Sequence, residues 1–199
     1  VIAKPNEPDN LYVATWGYGI IYLENLQKKT VYTPANSSLQ TIIPGDYCRV
    51  YGMAFDRNMN LWVTNSGVSN PISVLSADGT WYSLNYGPAI NAPNVSKLLI
   101  DAANRKWVIL PRGNGLFVFD DNGTPSDIRD DTYARVSIVD NAGNEISNFV
   151  YDIAEDLEGN IWVGTASGPV VFYNPAAVFE GPQEGGYAQQ ILVPRNDGS

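Results

Sequence analysis

Histidine is absent from all 199 residues. That excludes Ser-His-Asp and Cys-His catalysis and removes the commonest transition-metal ligand. An enzyme built on this chain would have to work with carboxylates, tyrosine or lysine, and no such pair stands out by its spacing. A single cysteine, Cys48, excludes an internal disulfide. Set beside Tyr47 and ahead of an apolar run, it reads as a small buried hydrophobe rather than a nucleophile. Charge is sparse, at 17% of residues, and mostly of one sign: 12 Lys and Arg against 21 Asp and Glu, a net −9. This balance opposes nucleic-acid binding, which needs a basic stripe against phosphates, and adhesion to an anionic membrane surface. No apolar run approaches the roughly 20 residues of a membrane span, so no direct membrane insertion by this segment is expected. Long 3.6-period stretches are missing too, and the best helical turn is the short Pro175 to Phe179.

What is abundant are 18 glycines, 13 prolines and 12% aromatics, the mixture of turn formers and strand formers expected of an all-β domain. The aromatics recur in a frame. Leu11-Tyr12-Val13, Leu61-Trp62-Val63, Lys106-Trp107-Val108 and Ile161-Trp162-Val163 are spaced by 50, 45 and 55 residues between their aromatics. A loose period near 50 residues marks repeat architecture. In the last three copies an aspartate stands six residues before the tryptophan, as Asp56, Asp101 and Asp156, and a glycine follows, as Gly67, Gly113 and Gly168.

The fourth copy parses into strands most clearly. Phe149 to Ala154 alternates in period two, Asp156 to Asn160 is a tight turn, and Ile161 to Thr165 returns antiparallel. Pro169 to Tyr173 is a third strand and Ala188 to Val193 a fourth. The second copy repeats the plan with Val50 to Phe55, Leu61 to Thr64, Ile72 to Leu75 and Trp81 to Leu84. The third runs through Leu98 to Ile100, Lys106 to Ile109 and Leu116 to Phe119. In the first copy the opening strand is missing or degraded, and the chain enters near Leu11. Four-stranded units at this period are β-propeller blades. The fold class is therefore all-β, a partial propeller of about four blades of four antiparallel strands, with blades at about 1–46, 47–90, 91–140 and 141–199. Trp62, Trp107 and Trp162 are expected to pack between blades. Asp56, Asp101 and Asp156 are expected to hold backbone amides of their own turns, since a catalytic aspartate is needed once and not periodically.

The run Ser147 to Thr165, with Asp152, Asp156, Gly159-Asn160 and Ile161-Trp162-Val163-Gly164-Thr165, resembles the repeat of the two-component regulator propeller family. The second and third copies match in part, with Thr64-Asn65 and Ile109-Leu110 in place of Gly-Thr, and the first keeps Val13-Ala14-Thr15 and Gly19-Ile20. The resemblance implies a bacterial, extracytoplasmic protein in the periplasm or at the outer cell surface. Family members usually serve as sensor regions of hybrid histidine kinases. A second group is similar to the propeller protein of the type IX secretion system, and Gly164 to Pro175 resembles that group somewhat more. The family's rings have more blades than this, so the chain reads as a piece of a longer protein. Open blade edges then favour other propeller blades, protein partners or a second copy as neighbours.

The loops joining second to third strands share a face with the connections between blades, and ligand chemistry concentrates on such loops. The candidate rim residues are Trp16, Tyr18, Tyr47, Asn65, Asn70, Asn94, Arg112, Asn114, Asn148 and Ser167, with the connections Asp46-Tyr47 and Asn91 to Asn94 on the same face. Exposed aromatics beside amides suit a saccharide or peptide ligand. The acidic run Asp120-Asp121-Asn122-Gly123, Asp127, Asp130 and Asp131 offers oxygen ligands, but its spacing does not follow the EF-hand order, and Asp-Asn-Gly is an ordinary hairpin turn. No metal or cofactor is expected. The leading expectation is a non-catalytic sensing or ligand-binding module. The alternative is a surface scaffold of a type IX-like secretion system, and a carboxylate-dependent propeller enzyme is third.

Overall fold

The computed structural model describes residues 1–43, 47–90 and 94–192. Its strands are β1 (Ile2–Lys4), β2 (Glu7–Ala14), β3 (Ile20–Glu24), β4 (Gln27–Tyr32), β5 (Val50–Phe55), β6 (Leu61–Asn65), β7 (Ile72–Leu75), β8 (Trp81–Leu84), β9 (Leu98–Ile100), β10 (Lys106–Ile109), β11 (Leu116–Asp120), β12 (Thr132–Val136), β13 (Val150–Glu155), β14 (Ile161–Thr165), β15 (Gly168–Phe172) and β16 (Gln189–Gln190). Consecutive strands pair antiparallel into four four-stranded sheets, the blades of a propeller. The helical turn expected at Pro175–Phe179 is a 3-10 turn.

The first sheet corrects the expectation that its opening strand is missing. Ile2 pairs with Tyr12 and Ala3 with Leu11, and the register slips at Lys4. This three-residue strand is too short to show a period of its own, so only its partner β2 reveals it. Strand β16 covers less than the expected Ala188 to Val193, pairing only Gln189 and Gln190 with β15. Val193, like Asp46 and Asn91 to Pro93, lies outside the described residues.

Strand alternation builds the core. On β6, Leu61 and Val63 join the apolar cluster shared with the first sheet, while Trp62 joins the one shared with the third. On β10, Val108 turns to the second sheet, and Trp107 and Ile109 to the fourth. With successive side chains on opposite faces, an inner sheet is buried on both sides, and its strands read as nearly unbroken apolar runs. The seams are aromatic. Trp62 meets Phe119 with ring centroids 5.3 Å apart, and Trp107 meets Phe172 at 5.8 Å. Close approach of β5 to β9 depends on Gly52, where a Cβ would stand 2.5 Å from the Leu98 nitrogen and 2.8 Å from the Ser96 carbonyl oxygen.

The recurring aspartates organise the turns opposite the rim. Asp56 Oδ1 accepts from the amides of Asn58 and Asn60, both at 2.8 Å, and Asp101 and Asp156 repeat this. Their second oxygen also accepts the indole N–H of the tryptophan six residues on, at 2.9, 2.9 and 2.7 Å. In the second and third blades one carboxylate thus sets both the turn and the orientation of the seam ring. Trp162, expected between blades, is instead 37% exposed and joins none of the apolar clusters among the described residues.

Candidate ligand-binding rim

The densest part of the rim sits where the first sheet joins the second. The 15–19 loop closes on itself through the Thr15 amide to the Gly19 carbonyl, 2.9 Å, and the Tyr18 amide to Thr15 Oγ1, 2.8 Å. It then docks on the incoming chain: the Cys48 amide donates to Gly17 O, the Gly19 amide to Cys48 O, and the Val50 amide to Thr15 O, each at 3.0 Å. Gly19 has no substitute here, since its φ is +74° and a Cβ would lie 2.1 Å from Tyr32 O.

This backbone lattice turns Cys48 inward and leaves Trp16, Tyr18 and Tyr47 exposed, with Tyr18 at 79%. Tyr47 takes a left-handed φ of +56°, a strained conformation for an aromatic residue of the kind found at ligand sites. The Arg49 guanidinium lies 5.1 Å from the Trp16 ring centre, and Tyr51 meets that ring edge-on at 6.3 Å. Burial pushes the Cys48 thiol up to about 11, which keeps it protonated and unreactive.

Tyr51, missed in the sequence, belongs to the same patch. Its signal was available: Val50 points inward on β5, so Tyr51 points out. Beside it a cleft of about 170 Å³ opens between Ile2, Met53 and Lys97. Lys97 continues the polar surface, donating to Asp152 Oδ1 at 2.6 Å and Ile153 O at 2.8 Å. That ammonium holds the Asp152 carboxyl below its ordinary range. Phe149 and Tyr151 are likewise exposed, on the fourth unit.

The rim amides divide. Asn65 is buried; its side chain accepts from the Gln40 amide at 2.6 Å and donates to Arg49 O at 3.0 Å. Asn114 donates to Pro111 O and accepts from Arg135, both at 2.7 Å. Asn148 accepts from the Ile138 amide and donates to Glu145, both at 2.8 Å. These three hold loops in place. Asn70 is half-buried with its amide on Gln40, and Asn94 meets Ser66 at 3.4 Å. Arg112 is exposed, and Ser167 Oγ donates to Ile146 O at 3.1 Å. The acidic 120–131 run spends its carboxylates on Asn122, Lys106, Arg129, Thr124 and Tyr86. Among the described residues no three acidic side chains gather as metal ligands would.

The two component regulator propeller family matches residues 144–167, so the fourth blade carries that repeat. No curated protein matches the sequence. Among solved structures the chain is similar to PorZ, an essential surface component of the type-IX secretion system of Porphyromonas gingivalis, with 30% identity and a TM-score of 0.82 over 90% of this chain and 25% of PorZ. It is also similar to the extracellular domain of BT3049 of B. thetaiotaomicron, described as a hybrid two component system, with 18% identity and a TM-score of 0.58 over 88% of this chain and 21% of that one. The extracellular domain of BT4673 of B. thetaiotaomicron gives 16% identity and a TM-score of 0.57 over 100% and 22%. The last two likenesses show the fold alone. The chain spans about a quarter of the length of PorZ.

Proposed function

We propose that this chain is a non-catalytic recognition and assembly segment of an extracytoplasmic propeller protein, and that it contacts its ligand through the rim at the first and second blades. The observation that carries this reading is the cluster of Trp16, Tyr18, Tyr47 and Tyr51, all exposed and held by a hydrogen-bonded lattice. Rigid exposed aromatics supply contact area at low entropic cost and suit the apolar faces of sugar rings or peptide side chains. No histidine is available for acid-base work.

The likeness to PorZ favours the surface-scaffold reading over the sensor reading, because it pairs 30% identity with cover of 90% of this chain. The propeller repeat at 144–167 keeps the sensor reading as the second. No helix among the described residues is long and apolar enough to cross a membrane. Catalysis by carboxylates alone remains the third reading.

The test is titration of bacterial surface polysaccharide fractions and of a peptide library, monitored by isothermal calorimetry, on wild type, Trp16→Ala and Tyr47→Ala. Binding weakened about tenfold or more in both variants, with Tm unchanged, supports the rim. Wild-type binding that neither variant alters would remove the rim from the function. Co-purification of envelope proteins with the parent chain favours the scaffold reading. A ligand-dependent kinase output favours the sensor.

A further inference from the structure

The seam between the second and third sheets is apolar except at one end, where a polar cluster is buried. Lys106 occupies the strand position that Leu61 and Ile161 fill in the neighbouring sheets, and it is fully buried. Its ammonium lies 4.6 Å from the centre of the Trp62 ring and pairs with the carboxylate of Asp121. The second oxygen of Asp121 is buried and has no partner among the described residues.

Asp121 opens the loop from β11 to β12, and Asp131 closes it. Asp131 Oδ2 accepts the hydroxyl of Tyr86 at 2.6 Å, while its Oδ1 is again buried without a partner. Tyr86 comes from the second unit, just past β8, and its ring packs on Phe117, Phe119 and Tyr133. Ile128, in the middle of the loop, packs on the same apolar cluster. The loop is thus pinned across the seam at its middle and at its far end.

The charges here do not balance. Asp131 faces the Tyr86 phenol, whose ring packs on Tyr133, the Asp121 and Asp130 carboxylates and the Lys106 ammonium. With Asp121 and Asp131 both ionised, two carboxylates share one cation in a poorly solvated place, and two oxygens stay unsatisfied. One proton on Asp131 leaves the buried Lys106–Asp121 pair neutral, with Asp130 on the exposed side of the loop. We propose that the 121–131 loop is a proton-operated clasp, closed over the second and third blades when Asp131 is protonated and loosened when it ionises.

Burial raises the Asp131 carboxyl to about 6, helped by the neighbouring Asp121 and Asp130 and opposed by the Tyr86 hydroxyl bond and the Lys106 ammonium, which favour the ionised form. A raised folded-state value means that the stabilisation is complete below the ordinary carboxylate range and is lost as pH rises through about 6. The clasp therefore holds in mildly acidic surroundings and relaxes at neutral pH.

Two measurements test this. The first is amide hydrogen exchange over 121–131 at pH 5 and pH 7.5, corrected for intrinsic rates, on wild type and Asp131→Asn. Wild type should be several-fold better protected at pH 5, and the isosteric neutral variant equally protected at both. Equal protection of the wild type at both values, or a variant that keeps the pH dependence, would overturn the clasp. The second is the carboxyl carbon resonance of Asp131 in the wild type, which settles the matter even if the variant does not fold. A midpoint near 6 supports the proposal and one near 4 overturns it.

Discussion

The indole N–H of Trp107 donates to Asp101 Oδ2 at 2.9 Å while its ring lies against Phe172 of the next sheet, centroids 5.8 Å apart. A tight turn is thereby coupled to an inter-blade contact through one carboxylate. Asp101 also accepts from the Ala103 and Arg105 amides and from Arg105 Nε. Replacing it by alanine strands several donors at once, and each unsatisfied buried donor costs roughly 1–3 kcal/mol. Asp101→Ala is expected to lower stability by about 3 kcal/mol in urea unfolding. Asp156→Ala should cost clearly less, because Trp162 is 37% exposed where Trp107 is fully buried. Equal losses would show that the turn alone carries the effect.

The equivalent turn of the second blade, at Asp56, contains a strained residue. Met59 adopts a φ of +67° where the equivalent positions hold Asn104 and Gly159. A left-handed conformation costs a bulky residue roughly 1–2 kcal/mol, and glycine avoids that at an entropic cost of roughly 0.5–1. Met59→Gly is therefore expected to stabilise by up to about 1 kcal/mol and raise Tm by a few degrees. A lower Tm would mean that the side chain contributes packing that outweighs the strain.

The buried Lys106–Asp121 pair stands where the second blade has the apolar Leu61 at the lysine's strand position. Breaking a buried pair on one side costs roughly 3–5 kcal/mol, whereas replacing both partners by apolar groups is often neutral or stabilising. Lys106→Leu should destabilise by about that amount, and Lys106→Leu with Asp121→Ala should recover most of it. The check is a double-mutant cycle by denaturant unfolding. A double variant as unstable as the single one would show that the polar cluster is needed for the fold itself.

Acid should leave the fourth turn intact longer than an ordinary carboxylate would. Hydrogen bonds from the Trp162 indole and Asn160 hold the Asp156 carboxyl down to about 2. A depressed value gives stabilisation that is present above the ordinary carboxylate range and lost as pH falls through about 2. The Trp162 indole proton resonance should therefore move with a midpoint near 2. A midpoint near 4 would show that the hydrogen bonds do not persist in solution.

The repeat, most of the blade plan, the turn-forming aspartates and the seam tryptophans Trp62 and Trp107 were legible along the chain. Each is set by neighbours within about ten residues, where period-two alternation and turn chemistry act. Residues with the same local signature then part ways in space. Trp62 and Trp162 occupy equivalent positions with equivalent aspartates, yet only Trp62 meets an aromatic of a following sheet. Asn65 looked like a rim amide and is a buried strut, while Tyr51 and Tyr151 face outward from strands assigned to structure. Lys106 broke the apolar pattern without revealing that its partners would be Asp121 and the Trp62 ring of another blade. The short strand Ile2–Lys4 exists only because β2 offers it an edge. Local sequence determined what each blade is made of. Which aromatics are buried, which face solvent and where one lysine must find its counter-charge depended on sheets joined across some 50 residues of chain, because burial belongs to the seam between two blades and not to either one.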